Sequence, residues 1–325
     1  MASPGDSTAT APAPGAGRSR APRDSATVVI VRDGTAGLEV LLLLRAERGD
    51  YNSGAWVYPG GIVDPADRTA GPVFGGLTDA QASRRLGLPD GGLAYYRAAV
   101  RECYEEAGIL FATGPDGELA PPDDEAAEQV AALREDVRQG RRTIDALCDE
   151  RGLVPAPQRL HYIAHWVTPL ARPKRFDTRF FLAIVPPGQS AVHDQQETQD
   201  HVWLTPAEAL APGNARRTLN VTRTILRMLV PFGDTTALAG WAASPREVRR
   251  VLPWLALEAG ELRLVRLHGA AYAEVALLDP EGKGNAWCEL RPDVAVRLTP
   301  HVLRVPAREG GNTYLVGQAG RWLVL

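Results

Sequence analysis

The run with the clearest chemistry is Arg101-Glu102-Cys103-Tyr104-Glu105-Glu106-Ala107-Gly108-Ile109. Spacings of three and four residues bring Glu102, Glu105 and Glu106 onto one helix face, within an arc of about 100°. Tyr96, Val100, Cys103, Tyr104 and Ala107 gather on the opposite face. One side is therefore expected to dock on a core while the other presents three carboxylates together. Like charges at these spacings destabilise an isolated helix, so they call for compensation. A hard divalent cation, Mg²⁺ or Mn²⁺, supplies it, taking carboxylate oxygens and keeping positions for water or phosphate. A solvated acidic face is the ordinary alternative. The Gly60-Gly61 pair upstream and the Gly108-Ile109 stop favour the metal reading.

The elements that must position these side chains follow from pattern and punctuation. Thr27–Val31 and Glu39–Leu44 read as two strands joined by Asp33-Gly34-Thr35-Ala36-Gly37. Residues 93–107 contain neither Gly nor Pro, and Gly108 stands where a helix end favours positive φ, which predicts a helix over 93–107. A charged, Ala-rich stretch over 123–150 reads as helical with a break at Gln139-Gly140. Leu160–Thr168 and Thr178–Val185 read as strands, and His201–Leu204 as an extended piece. Thr205-Pro206 is a helix start, and another helix is expected over about 215–230. Strands mixed with helices over residues 25–232 argue for an α/β domain. Residues 1–24, rich in Ala, Pro, Gly, Ser and Thr, read as a disordered leader. Beyond residue 240 short strand-like pieces, such as Leu262–Leu267 and Tyr314–Val316, suggest a small, mostly β region over 240–325.

Composition narrows the function classes. At 325 residues, 45% hydrophobic and 23% charged, the chain is neither fibrous nor wholly disordered, and it has room for one large domain or two smaller ones. Thirty-six Lys plus Arg against 39 Asp plus Glu leave a net charge of −3, which disfavours nucleic acid as the main partner. Cys103, Cys148 and Cys288 are too few and scattered for a disulfide framework or zinc cage, which fits a reducing, cytoplasmic setting. No apolar run approaches the roughly 18 residues of a membrane span, so no membrane association is expected.

The same residues carry a resemblance. Arg101 through Ile109 is similar to the second half of the signature of the Nudix hydrolases, G-x5-E-x7-R-E-U-x-E-E-x-G-U with U aliphatic, Cys103 taking the first U position. Gly61 supplies the opening Gly, preceded by Tyr58-Pro59-Gly60. Two departures stand out. Asp67 occupies the first Glu position, and 33 residues separate it from Arg101, an insertion of about 26. The chain resembles a subgroup with such an insertion, the peroxisomal coenzyme A diphosphatase type. The likeness extends to Val57–Asp64, Ala98–Glu102, Trp166–Pro169 and Arg175–Phe181, and covers residues 25–232.

The resemblance implies a Nudix α/β/α sandwich with a mixed sheet, enlarged by insertions at about 68–92 and 123–150. It implies that Glu102, Glu105 and Glu106 coordinate Mg²⁺ or Mn²⁺, and that Arg101 orients a carboxylate of the site. Gly60 and Gly61 would let the backbone approach the metal and the diphosphate. A general base would come from Glu105, Glu106 or a later loop, where Glu197 is the best candidate. The implied substrate is a small nucleotide-type molecule, a nucleoside diphosphate linked to another moiety. Coenzyme A or acyl-CoA is favoured, with NADH, ADP-ribose or a damaged nucleotide as alternatives. Asp67, shorter than the expected Glu, keeps open a non-catalytic nucleotide-binding module.

Other signals are weaker. Arg175, after Lys174 and before a strand, is a candidate for a substrate phosphate, with an exposed basic turn as the equal alternative. His161 and His165 lack a nearby third ligand and read as ordinary core or surface histidines. Cys103, on the apolar face, reads as packing. The two insertions suit a lid or a specificity element. The C-terminal Gly311–Gly317 and Trp322–Leu325 resemble the opening strands of metallo-β-lactamase-fold hydrolases, whose His-x-His-x-Asp-His motif is absent, which suggests a truncated or degenerate second domain.

Overall fold

A computed structural model describes residues 21–47, 53–120, 127–169, 172, 174–258, 261–267, 272–273, 291–307, 312–318 and 320–325. The expected leader, up to residue 20, the first residues of the 123–150 region and Cys288 lie outside them. The described residues divide into two compact units, one within 23–167 and 176–251, the other within 21–22, 168–175 and 252–325.

The first unit opens with β1 (Arg23–Gly34) and β2 (Gly37–Arg45), an antiparallel hairpin whose last pair is Gly34 opposite Gly37. Val28, Val29, Ile30 and Val31 are all fully buried, so both faces of β1 are covered and the strand is central. β3 (Trp56–Val57) pairs with β2, and β4 (Gly60–Ile62) with β1. The insertion then forms α1 (Pro65–Thr69), the hairpin β5 (Val73–Phe74) and β6 (Leu77–Thr78), and α2 (Asp79–Leu86). It leads into α3 (Gly92–Ala107), the glutamate helix, which ends at Gly108 with φ 67°.

The insertion is built into the start of that helix. Asp79 accepts hydrogen bonds from Gly91 N and Leu93 N, both at 2.9 Å, and Ser83 Oγ accepts from Gly92 N at 2.9 Å. These are the amides that a helix start leaves without intrahelical partners. The bond from Leu93, ahead of the others, holds the Asp79 carboxyl below its usual pKa. A break in the signature of about 26 residues is thus closed by a cap that the inserted residues themselves supply.

β7 (Ala112–Thr113) pairs with β8 (Val154–Pro155), and between them lie α4 (Ala127–Arg138) and α5 (Ile144–Glu150), separated at the expected break. β9 (His161–Val167), β10 (Phe176–Ile184) and β11 (Thr198–Leu204) complete the main strands. α6 (Pro206–Leu210), α7 (Asn220–Leu229), α8 (Thr235–Ala243) and the short β12 (Arg250–Val251) follow. The sheet order is β11-β2-β1-β10-β9-β12, with β1/β10 and β9/β12 parallel and the other pairs antiparallel. β12 carries this unit past residue 232 to Val251, because it joins the sheet beside β9.

Val28 and Ile30 on one face of β1 share a core with Tyr96, Val100, Cys103 and Phe181, and the Tyr96 and Phe181 rings stand 4.8 Å apart. Val29 and Val31 are buried on the other face, and Ile225, Leu226 and Leu229 of α7 and Leu238 of α8 are buried outside the α3 core. Covering both faces of a mixed sheet produces the α/β class expected from the strand and helix pattern. Burial pushes the Cys103 thiol well above its usual pKa, which suits packing rather than nucleophilic attack. His165 Nε2 meets Asp177 Oδ1 across β9 and β10 at 2.6 Å, a cross-strand pair that Arg179 joins at 3.0 Å.

In the second unit, β13 (Trp254–Glu258) and β14 (Glu261–Val265) form a hairpin. β15 (Val296–Thr299), β16 (Val302–Pro306), β17 (Asn312–Gln318) and β18 (Arg321–Val324) form a four-stranded antiparallel meander. The region is small and β-rich, as its short alternating runs suggest.

Candidate active site

Helix periodicity places Glu102, Glu105 and Glu106 together on α3, but their face is not open. Their relative exposures are 7%, 6% and 5%, and every residue of α3 from Gly92 to Ala107 is buried. This differs from the one-sided helix expected from the amphipathic pattern. The reason is tertiary: β4 and α1 pack over the carboxylate face, placing Asp67, Ile62 and the glycine pair against it.

Arg101 organises the cluster. Its Nε donates to Asp67 Oδ1 at 3.2 Å and its Nη2 to Asp67 Oδ2 at 2.9 Å, a two-pronged pair, while Nη2 also reaches the Ile62 carbonyl at 2.8 Å. Nη1 donates to Glu102 Oε1 at 2.9 Å and to both Glu105 oxygens at 3.2 and 3.3 Å. Asp64 lies 3.7 Å from Nη2. Asp67 reaches across because it occupies the first turn of α1, where its Oδ2 also accepts from Asp64 N at 2.9 Å. Its shorter side chain therefore still makes a full contact with Arg101.

Glu106 is held differently. Its Oε2 accepts from the backbone amide of Gly60 at 2.9 Å. Gly60 sits at φ 154°, and a Cβ there would lie 2.5 Å from the Ala26 carbonyl oxygen and 2.6 Å from Thr27 Cα. At Gly61 a Cβ would lie 2.3 Å from Glu102 Oε1. The pair lets the β4 backbone press onto both carboxylates. Gly60→Ala is expected to destabilise the domain by about 1–3 kcal/mol, because strand backbone rather than a flexible side chain must move. Thermal denaturation checks this, and an unchanged melting temperature would show that β4 does not press on β1 as described.

The loop after β10 docks on the end of α3. Val192 N donates to the Ala107 carbonyl at 2.8 Å, and Thr198, fully buried, donates through Oγ1 to the Glu106 carbonyl at 3.4 Å. Asp194 gathers the loop by accepting from Glu197 N at 3.0 Å and Thr198 N at 2.8 Å. Glu197 is thereby brought near Glu106, whose pKa its charge helps to raise. Arg134 of α4 donates through Nη2 to the Glu105 carbonyl at 2.8 Å, supplying a partner to the last turn of the helix. Arg175 belongs to the other unit, is buried, and donates through Nε to the Thr168 carbonyl at 2.9 Å. Arg134 was not visible as a site neighbour in the sequence, since nothing local marks one arginine of a charged, Ala-rich helix. Asp64 had a signal, as the residue before Pro65 at a helix start.

The donor set fits a hard cation. Burial pushes the Glu105 carboxyl up to about 7 against the pull of Arg101, and burial pushes Glu106 up to about 8 against the Gly60 amide. Glu102 is raised well above the carboxylate range, first by burial and then by its two neighbours, with Arg101 opposing. The Arg101 guanidinium meets Glu102, Glu105 and Asp67 and leaves Glu106 to the Gly60 amide, so the cluster carries more acid than that guanidinium balances.

The sign of the pH dependence follows. Glu105 and Glu106 bind protons more tightly in the folded chain than in the unfolded one, so without a divalent cation stability falls as pH rises from about 4.5 through about 8. Millimolar Mg²⁺ or Mn²⁺, which favours the ionised carboxylates, should reverse this fall. Melting curves at pH 6 and pH 8.5, with chelator and with Mn²⁺, measure both arms; equal melting temperatures throughout would contradict the assignment.

Residues 69–218 match the family model described as the NUDT19 Nudix domain. The chain is 33% identical over 210 residues to the human protein named acyl-coenzyme A diphosphatase NUDT19, covering 53% of this chain and 55% of that one. The Xenopus laevis protein of the same name is 28% identical over 211 residues, covering 55% and 56%. The chain thus spans little more than half the length of these relatives. A crystal structure of a Nudix hydrolase from Alicyclobacillus acidocaldarius superposes with a TM-score of 0.55 at 26% identity, covering 68% of this chain and 96% of that one.

Proposed function

We propose that the chain is a Nudix hydrolase, an Mg²⁺- or Mn²⁺-dependent diphosphohydrolase whose substrate is coenzyme A or an acyl-CoA. The observation that carries the metal-dependent reading is the buried set of Glu102, Glu105 and Glu106, clamped by Arg101 and the Gly60 amide. The name of the human and Xenopus laevis relatives, acyl-coenzyme A diphosphatase, supports the coenzyme A part.

Glu102, Glu105 and Glu106 would hold the cation. When bound, it screens the diphosphate charge, acidifies a water and steadies the leaving oxygen. The chain's own contributions are positional. Arg101 fixes Glu102 and Glu105 by charge-assisted hydrogen bonds, so their oxygens converge before substrate arrives. Gly60 N fixes Glu106. Glu197 is the carboxylate that would take the proton of the attacking water, because the loop holding it is fastened to the α3 end by Val192 and Thr198. Gly60 and Gly61, lacking side chains, leave the backbone free to meet the diphosphate.

No helix among the described residues is long and apolar enough to cross a membrane. The scarcity of cysteine remains the support for a cytoplasmic setting. Specificity constants for coenzyme A, acetyl-CoA, NADH, ADP-ribose and nucleoside triphosphates, measured in Mg²⁺ and in Mn²⁺, test the substrate class. Preference for the coenzyme A compounds is expected; a higher value for NADH or ADP-ribose would replace that substrate assignment and leave the metal site standing.

A further inference from the structure

A second group of metal-binding side chains lies in the same unit and plays no part in the Arg101 clamp. His193 Nδ1 and His201 Nδ1 are 3.1 Å apart, with ring centroids separated by 5.4 Å. A carboxylate oxygen of Asp200 joins them, all three ligand atoms lying within 4.8 Å of one another. We propose that His193, Asp200 and His201 form a second metal site, selective for a borderline transition ion of the Zn²⁺ class.

The geometry points to an ion of that kind. Zinc to imidazole distances of about 2.0–2.1 Å in a tetrahedron put ligand nitrogens about 3.3 Å apart, close to the 3.1 Å between the two rings. Two imidazoles and one carboxylate suit Zn²⁺, Co²⁺ or Ni²⁺, whereas the all-carboxylate face of α3 suits Mg²⁺ or Mn²⁺. Both rings must be neutral to offer lone pairs. Burial, and then the neighbouring His193, hold His201 below the usual histidine range. The two Nδ1 atoms face each other at hydrogen-bond distance.

The local fold explains how consecutive strand residues reach one point. Asp200 and His201 would ordinarily project to opposite faces of β11. The Asp200 carboxylate instead folds back along the strand, its Oδ1 accepting from His201 N at 2.8 Å. His193 begins the segment that contains Glu197, and Asp200 and His201 lie just beyond it. An ion here ties together both ends of the loop that carries the proposed base. The site stands on residues separate from the glutamates, so its failure and theirs are distinguishable.

Calorimetric titration of the full chain with Zn²⁺, in saturating Mg²⁺, is the test. The expected result is one Zn²⁺ per chain at micromolar affinity or tighter, weakened by about tenfold or more in His193→Ala and His201→Ala. The same binding should persist when Glu105 and Glu106 are both replaced by Gln. Imidazole ¹⁵N spectra of the unmodified chain identify the bound nitrogens among its six histidines, so the reading does not depend on the variants folding. Binding no tighter than millimolar, or perturbation of histidines other than 193 and 201, would overturn the proposal. So would binding that is lost in the glutamate variant and unchanged in the histidine variants.

Discussion

Arg101→Leu is expected to lower the unfolding free energy of the site-bearing unit by about 3–5 kcal/mol. The guanidinium satisfies Asp67, Glu102 and Glu105, all buried, and Leu leaves those carboxyls without their cation. Arg101→Lys should recover only part of the loss, because a single ammonium cannot reproduce the fork that spans both Asp67 oxygens and the Ile62 carbonyl. Urea denaturation at neutral pH, with and without Mn²⁺, measures the effect. A loss below about 1 kcal/mol in both conditions would mean that the clamp contributes little beyond a surface ion pair.

Much of this clamp could be read in the sequence, and the missing part has one physical cause. The glutamate spacing, the gap in Gly and Pro over 93–107 and the Gly108 stop are local signals, and α3 lies at Gly92–Ala107. The long strands of the main sheet and most helices were legible for the same reason: β-branched runs, turn residues and caps act within a few residues. What local pattern could not show was that the acidic face would be covered. An amphipathic helix with glutamates on one side reads as half-exposed, and only the return of β4 and α1 across the sheet buries it. The Asp79 cap, the Arg134 contact with the α3 end and the meeting of His193 with His201 likewise depend on how the chain folds back over many residues.

Glu105→Gln and Glu106→Gln should each reduce metal-dependent turnover by at least about 10²–10⁴-fold, while the fold survives. Gln keeps the shape of Glu, and at position 106 its amide oxygen still accepts from Gly60 N. Because burial already favours the uncharged carboxyls, either substitution should leave the metal-free protein as stable as the parent near pH 4.5 and more stable at pH 8.5. Loss of turnover with a gain in stability separates a residue that holds the cation from one that merely packs. Arg101→Leu, by contrast, loses both. Glu197→Gln should lower turnover by about 10²-fold with little change in Mn²⁺ affinity, since its role is to receive a proton. Steady-state kinetics over a range of Mn²⁺ concentrations distinguish these patterns, and a Glu105→Gln or Glu106→Gln protein with parental turnover would remove that residue from the site.

The measurement closest to the central claim is product analysis of coenzyme A incubated with the unmodified chain in Mg²⁺ or Mn²⁺, with a chelated control. Cleavage of the diphosphate should yield two phosphomonoesters, one carrying the adenosine and the other the pantetheine arm, at equal rates and only with the cation present. No turnover of coenzyme A or of any other diphosphate under these conditions, by a protein whose Glu102, Glu105 and Glu106 are intact and whose fold is verified, would contradict the account.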